Sequence, residues 1–305
     1  MITVFGSINI DLVCRTSHLP RPGETVPGSD YQLIPGGKGA NQALAARRAG
    51  ASVRMIGAVG ADDMAAIALG ELEKDGVDLT ALVRRGPTTG MAIITVDDGA
   101  ENTIVLSPGA NARLKAADLA PASPGEGDTL LLQMEVPFAE SLAAARAARA
   151  AGARVLLSIA PFLPIERSAL AEVDIILVNE TEAADLARHL GLEAGSGGAE
   201  TVATLSKALG KTVIATLGSD GAVASVDGAE ILVPALAVVP VDTTGAGDTF
   251  AGVLAALLDQ GESLETALQF AAAAGSLSCT KEGAQPSFPR RAEIEGALSG
   301  PSSNA

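Results

Sequence analysis

Seven residues, Asp242-Thr243-Thr244-Gly245-Ala246-Gly247-Asp248, hold the most legible chemistry of this 305-residue chain. An apolar stretch, Ile231 to Val241, leads into them. Ala246, Phe250, Val253, Leu254 and Leu257 then recur at helical spacing, so a helix is expected to begin inside the motif. The glycines let the backbone turn sharply and come close to a ligand. First-turn amides have no intrahelical acceptor, and the helix dipole adds partial positive charge. Gly245, Ala246 and Gly247 therefore form a candidate anion hole for a phosphoryl group in transfer. Asp248 follows directly. A carboxylate there repels a resting phosphate but suits a general base taking a proton from an attacking hydroxyl. A first-turn acid also complements the dipole, and the motif alone leaves both readings open.

Other polar residues fall where a ligand could meet them. Asn9 and Asp11 flank Ile10 on an extended segment, so period two sends both to one face. An amide beside a carboxylate suits a polyhydroxyl ligand, and equally a solvated strand face. Pro35-Gly36-Gly37-Lys38-Gly39-Ala40-Asn41-Gln42 opens a helix without matching the GxxxxGK[ST] phosphate loop. Its glycines imply close backbone approach to something small, with Asn41 pointing back into the same place. Glu135 ends an apolar strand, where α/β sheets present ligand-facing residues. Asn179 and Glu182 have the spacing of a capping box, and could also order water around a phosphate-bound Mg²⁺. Thr216-Leu217-Gly218-Ser219-Asp220-Gly221 is either a turn that takes nucleotide phosphates on its amides or an ordinary hairpin turn. Asp62-Asp63 reads as a helix start. His18 and His189 have no visible partners, and neither is given a role.

The elements that must position these residues follow a βαβ rhythm. Strands are expected at Ile2–Phe5, Val53–Val59, Thr129–Gln133, Arg154–Ser158, Asp174–Val178 and Thr212–Leu217. Helices are expected near Gly39–Ala49, Ala65–Lys74, Glu140–Ala151, Glu180–His189, Val202–Leu209, Thr244–Asp259 and Leu264–Thr280. This implies an α/β fold: a mostly parallel, Rossmann-like central sheet with helices on both faces and ligands at the carboxyl ends of its strands. Two regions break the rhythm. Asn9–Leu33 is rich in Pro and Gly. Gly90–Leu106 reads as a hairpin turning at Asp97-Asp98-Gly99-Ala100. Together they are expected to form a small β lid, at about residues 9–35 and 89–108, on a single domain spanning 1–305.

Composition narrows the partners. Hydrophobic residues make up 48% and aromatics 2%, with no Trp, so the core is aliphatic and offers no platform for stacking bases. A net charge of −15 argues against nucleic acid and anionic membranes. Cys14 and Cys279 lie far apart with no CxxC spacing, which fits a reducing compartment. The opening residues show neither a basic region nor a cleavable apolar segment, and no run reaches ~18 apolar residues, so a cytoplasmic protein with no membrane span is expected. Gly300 to Ala305 reads as a frayed tail.

Taken together, the motifs resemble the sugar kinases of the ribokinase (PfkB) family along essentially the whole chain. The resemblance is carried by Gly6-Ser7-Ile8-Asn9-Ile10-Asp11, Pro22-Gly23-Glu24-Thr25-Val26, Gly36 to Ala43, Glu101-Asn102 with Ser107 to Asn111, Asn179 to Glu182, Asp242 to Asp248, and Lys281 to Ser287. It implies phosphorylation of a sugar, most simply ribose at its 5-hydroxyl, by ATP with Mg²⁺. Asp248 would be the base, and the amides of Gly245, Ala246 and Gly247 the anion hole. Asn9, Asp11, Gly37, Lys38, Gly39, Ala40, Asn41 and Glu135 would line the sugar site. Asn179, Thr216, Leu217, Gly218, Ser219, Asp220, Gly221 and Gly247 would line the ATP site, with Glu182 near Mg²⁺. Asp242, Thr244, Ser278, Lys281, Gly283 and Ser287 would form a site for a monovalent cation, K⁺ in the first instance. The lid would also clasp a second subunit in a homodimer. Ala272, Ser278 and Lys281 depart from the family's usual residues, at the adenine and in the cation segment.

Other readings stand beside this one. A sister kinase would act on deoxyribose, another sugar or a nucleoside such as adenosine, and the scarcity of aromatics weighs against a nucleoside pocket. A catalytically silent sugar-binding protein would not need Asp248 and its glycines. A nicotinamide oxidoreductase needs GxGxxG after the first strand, where this chain has Gly6-Ser7-Ile8-Asn9.

Overall fold

The computed structural model describes residues 1–99 and 101–300. Ala100 of the expected hairpin turn and residues 301–305 of the expected tail lie outside them. In chain order, β1 (Ile2–Phe5) is followed by β2 (Asn9–Arg15), β3 (Gln32–Gly36), α1 (Lys38–Arg48), β4 (Val53–Ile56), β5 (Ala58–Val59) and α2 (Met64–Lys74). Then come β6 (Val83–Arg84), β7 (Gly90–Val96), β8 (Asn102–Ser107), β9 (Thr129–Leu132), α3 (Phe138–Ala150), β10 (Arg154–Ser158), β11 (Ile175–Asn179) and α4 (Glu180–His189). The chain continues through α5 (Gly198–Leu209), β12 (Thr212–Thr216), β13 (Ala222–Val226), β14 (Ala229–Val233), α6 (Ala246–Asp259), α7 (Leu264–Ser278) and α8 (Arg291–Ser299).

The main sheet has the order β14-β13-β12-β11-β10-β9-β1-β4. Its pairs from β4 through β12 are parallel, and β13 and β14 add an antiparallel edge. The strands are apolar on both faces because helices cover both. Val4, Leu131 and Leu156 point into one core with Leu44, Phe250, Leu254 and Leu268. Their strand neighbours Phe5, Leu132 and Leu157 point into the other with Ala144, Leu186 and Leu205. That alternation is the period-two side-chain geometry of a strand. Helix α6 is buried nearly all round, because α1 and α7 flank it. At Gly252 its approach to α1 is so close that a methyl would strike the Gln42 carbonyl and the Ala45 side chain.

A second sheet, β3-β2-β7-β8, forms from the two regions that interrupt the rhythm. Its crossing points to the main sheet are stitched by side chains. The Asn111 side chain accepts from the Ile8 amide at 3.0 Å and donates to the Ile8 carbonyl and to Asn9 Oδ1 at 3.0 and 2.7 Å. Asp62 accepts from the Thr89 amide and hydroxyl at 2.8 and 2.6 Å. It thus fixes the approach to β7, a role beyond the helix start expected of it.

Several boundaries differ from expectation. Val53–Val59 is two strands, because at Gly57 the backbone passes against Ile8, and β5 turns away to pair with β6. The helix expected from Thr244 begins at Ala246. Helix α8 was not anticipated, since it buries only Ile294 and so has almost no apolar period. No helix among the described residues is long and apolar enough to cross a membrane. Cys14 and Cys279 are free thiols.

Candidate active site

Helix α6 starts where Gly245, at φ 77°, takes a left-handed conformation closed to most side chains. The Thr249 amide makes the first helical bond, to the Gly245 carbonyl at 2.8 Å. The Ala246 amide is turned back to the Thr243 carbonyl at 3.2 Å. Among the described residues the Gly245, Gly247 and Asp248 amides have no protein acceptor. Of the expected anion hole, the Gly245 and Gly247 amides are thus open, the Ala246 amide is weakly held, and the Asp248 amide adds a further open donor.

Asp248 lies in the first turn of α6, 7% exposed. Its Oδ2 accepts from Asn41 Nδ2 and its Oδ1 from Gln42 Nε2, both at 2.9 Å. Each of those amides is held by another. Gln133 Nε2 donates to Gln42 Oε1 at 2.7 Å, and Gln285 Nε2 donates to Asn41 Oδ1 at 3.1 Å. Asn41 therefore faces the base with one end of its amide and Gln285 with the other, and Gln42, Gln133 and Gln285 are partners that motif reading passed over. A polar residue on the wholly buried face of an Ala-rich helix was the available signal for Gln42.

Helix α1 begins at Lys38, with Gly37 as its cap at φ 90°. A lysine in a first turn opposes the dipole. Here acidic neighbours compensate: the Asp248 charge, against burial, raises the Lys38 ammonium above its usual range, helped by Glu135, Glu182 and Asp11. Glu135 is anchored through its Oε2, which accepts from Ser7 Oγ at 2.6 Å and the Lys38 amide at 3.1 Å. Asp11 is pushed up to about 7, by burial first and then by the charges of Glu135 and Asp248, with Lys38 partly offsetting them. Asn9, Asp11, Gly37, Lys38, Asn41, Glu135 and Asp248 are thus drawn together. Gly39 and Ala40 are not ligand-facing: both are buried, packed on Gly6 and Ser7, where they seat the helix.

Two cavities meet at the start of α6. One, of about 610 Å³, is lined by Thr216, Gly218, Ser219 and Gly221, by the apolar run 235–238, and by Phe250, Ala272 and Cys279. Its size suits a nucleotide. Leu217 and Asp220 of the expected phosphate turn do not line it. The other, of about 200 Å³, is lined by Lys38, Asn179, Glu182 and Gly245 to Asp248. Thr216, Thr243, Ala246 and Gly247 border both. Asn179 and Glu182 form the expected capping box, each amide donating to the other's side chain at 2.8 Å. Glu182 still faces the cavity, and burial raises its carboxyl above the usual range despite the Asn179 amide.

The segment after α7 is sewn to the motif. The Cys279 carbonyl accepts from the Val241 and Asp242 amides at 2.7 and 3.2 Å. Asp242 accepts from the Thr244 amide and hydroxyl at 2.9 and 2.7 Å, and from the Gly283 amide at 2.9 Å. Against burial, these bonds hold its carboxyl below the usual range. The Ser278 and Ser287 hydroxyls donate to the carbonyls of Gly275 and Ala284, and Lys281 Nζ pairs with Glu293 at 3.2 Å. Of the expected cation residues, Asp242, Thr244 and Gly283 converge, whereas the Lys281 ammonium points elsewhere.

This arrangement, a cluster of acidic and amide side chains and a nucleotide-sized cavity near open helix amides beside a carboxylate, has counterparts among known proteins. Residues 1–291 match the model of the pfkB family carbohydrate kinases. Ribokinase of Haemophilus influenzae is 39% identical over 297 residues, covering 96% of each chain. Ribokinase of Bacillus subtilis is 36% identical, covering 98% of this chain and 99% of that one. Among solved structures, ribokinase from Thermotoga maritima superposes with a TM-score of 0.89 at 34% identity, over 97% of this chain and 98% of that one. Arabidopsis thaliana ribokinase complexed with ribose and ATP gives a TM-score of 0.87 at 32% identity, covering 98% of each. With the match running through every element of the site, the chain belongs to the pfkB family of carbohydrate kinases.

Proposed function

We propose that this kinase transfers the γ-phosphoryl group of ATP to the 5-hydroxyl of D-ribose, giving ribose 5-phosphate and ADP. The observation that carries the reading is the position of Asp248, a carboxylate clamped by two amides on the smaller cavity, one residue from the Ala246–Gly247 junction of both cavities and next to open amides at a helix start. Asp11, Asn9 and Glu135 accept from the sugar's secondary hydroxyls and leave the primary one toward Asp248. Asp248 takes its proton as the oxygen attacks phosphorus. The Gly245, Gly247 and Asp248 amides and the Lys38 ammonium meet the charge on the transferring group. Positioning supplies most of the acceleration. The relatives named for ribose and ATP support this choice of substrates.

Two ions fit the donors present. Glu182, which lines the smaller cavity together with Asp248, would supply a carboxylate to Mg²⁺ whose shell phosphates and water complete. Mg²⁺ would neutralise phosphate charge. Asp242 and Thr244, with backbone oxygens between Ser278 and Ser287, fit a monovalent cation such as K⁺, which would stiffen the start of α6. The second sheet acts as a lid over the sugar. The exposed Ile104, Val105 and Leu106 on β8 give it a surface for a second copy of the chain. Two free thiols suit a reducing cytoplasm.

The test is ADP release with ATP against ribose, 2-deoxyribose, fructose and adenosine, each with K⁺ and with Na⁺. Ribose should give the highest kcat/KM, and K⁺ should raise it. Asp248→Asn should lower kcat by ~10²–10⁴-fold and spare ribose binding. Near-normal turnover in that variant would remove Asp248 as the base, and preference for another acceptor would move the sugar assignment while leaving the mechanism.

A further inference from the structure

We infer that Gln42 and Gln133 are positioning residues for the reaction: a fixed chain of amides, Gln133 to Gln42 to Asp248, sets the plane of the catalytic carboxylate. The inference rests on Asp248 being the base. An aspartate's terminal torsion is broad and nearly two-fold, so burial alone does not fix which oxygen faces a substrate or at what angle. Here each oxygen accepts one side-chain amide at 2.9 Å, from Gln42 on one side and Asn41 on the other. Two anchors on one carboxylate define a plane.

The polarity of the chain is not free. A carboxylate accepts, so Gln42 must present its nitrogen to Asp248, and its oxygen then faces away. Gln133 must in turn present its nitrogen to Gln42 Oε1, as it does at 2.7 Å. The Gln285 to Asn41 bond repeats this logic on the other oxygen. Both chains terminate at a cost. Gln133 Oε1 and Gln285 Oε1 are buried without a protein partner, in residues of zero exposure. Unpaired buried acceptors are rare and destabilising. Two of them, each at the outer end of a chain leading to the same carboxylate, mark amides kept for their nitrogens. At the Gln133 end the oxygen fills the space that a side chain on Gly6 would occupy, so the glycine leaves room for it.

The backbone under Gln42 is equally constrained. Its carbonyl rests against Gly252 of α6, four residues and one turn beyond Asp248, on the same helix face. The close approach of α1 and α6 thus fixes the base of both side chains, and the amide bond fixes their ends. A displacement of a reacting group by about 1 Å costs ~10²-fold in rate, which is the scale expected when the clamp is removed.

The experiment compares Gln42→Met, Gln133→Met and the double variant, using turnover with ribose and ATP, calorimetric ribose binding without ATP, thermal unfolding and the pH profile of kcat. Gln42→Met keeps the chain length and removes the donor. It should lower kcat by ~10–100-fold and leave the ribose Kd within about two-fold, and it should move the acid limb of the kcat profile to higher pH, since a donor to the charged form is lost. Gln133→Met exchanges one unpaired oxygen for another, at Gln42, so thermal stability should stay close to that of the parent. Its kcat should fall by about three- to ten-fold, and that loss should vanish in the Gln42→Met background, because the chain is already cut. Unchanged kcat in Gln42→Met while Asp248→Asn is inactive would overturn the relay alone. Independent, multiplicative losses in the double variant would overturn it as well. Retained turnover in Asp248→Asn would instead remove the base on which it rests. Should Gln42→Met fail to fold, Gln133→Met decides: a kcat loss at parental stability supports the relay, and a parental kcat refutes it.

Discussion

Replacing Asp11 with asparagine should make the protein more stable and worse at binding sugar, each in a pH-dependent way. The carboxyl sits at about 7 in the folded chain, against 3.8 as its ordinary value. Between those values the folded chain holds a proton that the unfolded chain has released. Stability therefore falls as pH rises through this window, and the loss is complete above about 7. Three units correspond to about 4 kcal/mol as an upper bound, at ~1.4 kcal/mol per unit. Asp11→Asn keeps the shape and removes the charge. Its unfolding free energy from urea titration should match the parent within ~0.5 kcal/mol near pH 4 and exceed it by about 1–4 kcal/mol near pH 8. Sugar binding should run the other way. If the ionised form accepts the hydroxyls, the parent's ribose Kd should tighten roughly tenfold between pH 6 and pH 8, with protons released on binding below neutrality. Calorimetry in buffers of different ionisation enthalpy reads both quantities. In Asp11→Asn the affinity should be weak and flat with pH. A stability difference that does not change from pH 4 to 8, or a parental Kd that is flat over that range, would refute the electrostatic account of Asp11.

Three other outcomes follow from the geometry. Asp242→Asn removes an anion that hydrogen bonds hold ionised, so the K⁺ concentration for half-maximal activity should rise by about ten-fold or more while ribose binding is kept; a KCl titration against choline chloride checks it. Arg48→Met leaves Glu71 and Asp75 without a guanidinium now at 2.8 and 2.7 Å, and frees the carbonyls of Gln285 and Phe288. Since Asp75 retains Arg290, the loss should sit near the low end for broken buried pairs, about 3 kcal/mol by urea unfolding. Val105→Glu places a charge on a side chain 65% exposed on β8; the proposed lid dimer requires that sedimentation show a dimer for the parent and a monomer for the variant, with the fold's circular dichroism unchanged.

The parallel sheet, its flanking helices and the start of α6 could be read from the chain because they depend on local patterns. Strands buried on both faces need continuous apolar runs, and β1, β10 and α4 fall at their expected bounds. The Gly245–Asp248 turn is announced by residue types that little else requires. Other features depended on distant partners. Val53–Val59 has the composition of one strand, and only the approach of Ile8 at Gly57 splits it. The apolar stretch after Ile231 leaves the sheet at Val233, because Pro234 cannot donate to a ladder, and the residues beyond it line the nucleotide cavity instead. The amide chain joins positions 42, 133 and 248, so no window of sequence contains it.

Those same long-range features locate the site without reference to any relative. Lys38 occupies a helix start that disfavours cations, Asp11 is half-buried near two other carboxylates, and two glutamine oxygens are buried without partners. Each breaks a local rule of stability, and a sequence selected for stability alone would not keep them. They converge on one carboxylate, Asp248: Lys38 and Asp11 feel its charge, and both glutamine chains end on it. Departures from local consistency that point to a single atom group are what a site under functional selection leaves behind. Substrates supply the missing terms: hydroxyls for Asp11, and phosphate for Lys38 and the open amides. The strain of the free enzyme is thus arranged to be relieved by one sugar and one nucleotide together, and saturating both should raise the unfolding temperature by more than the sum of the two separate shifts.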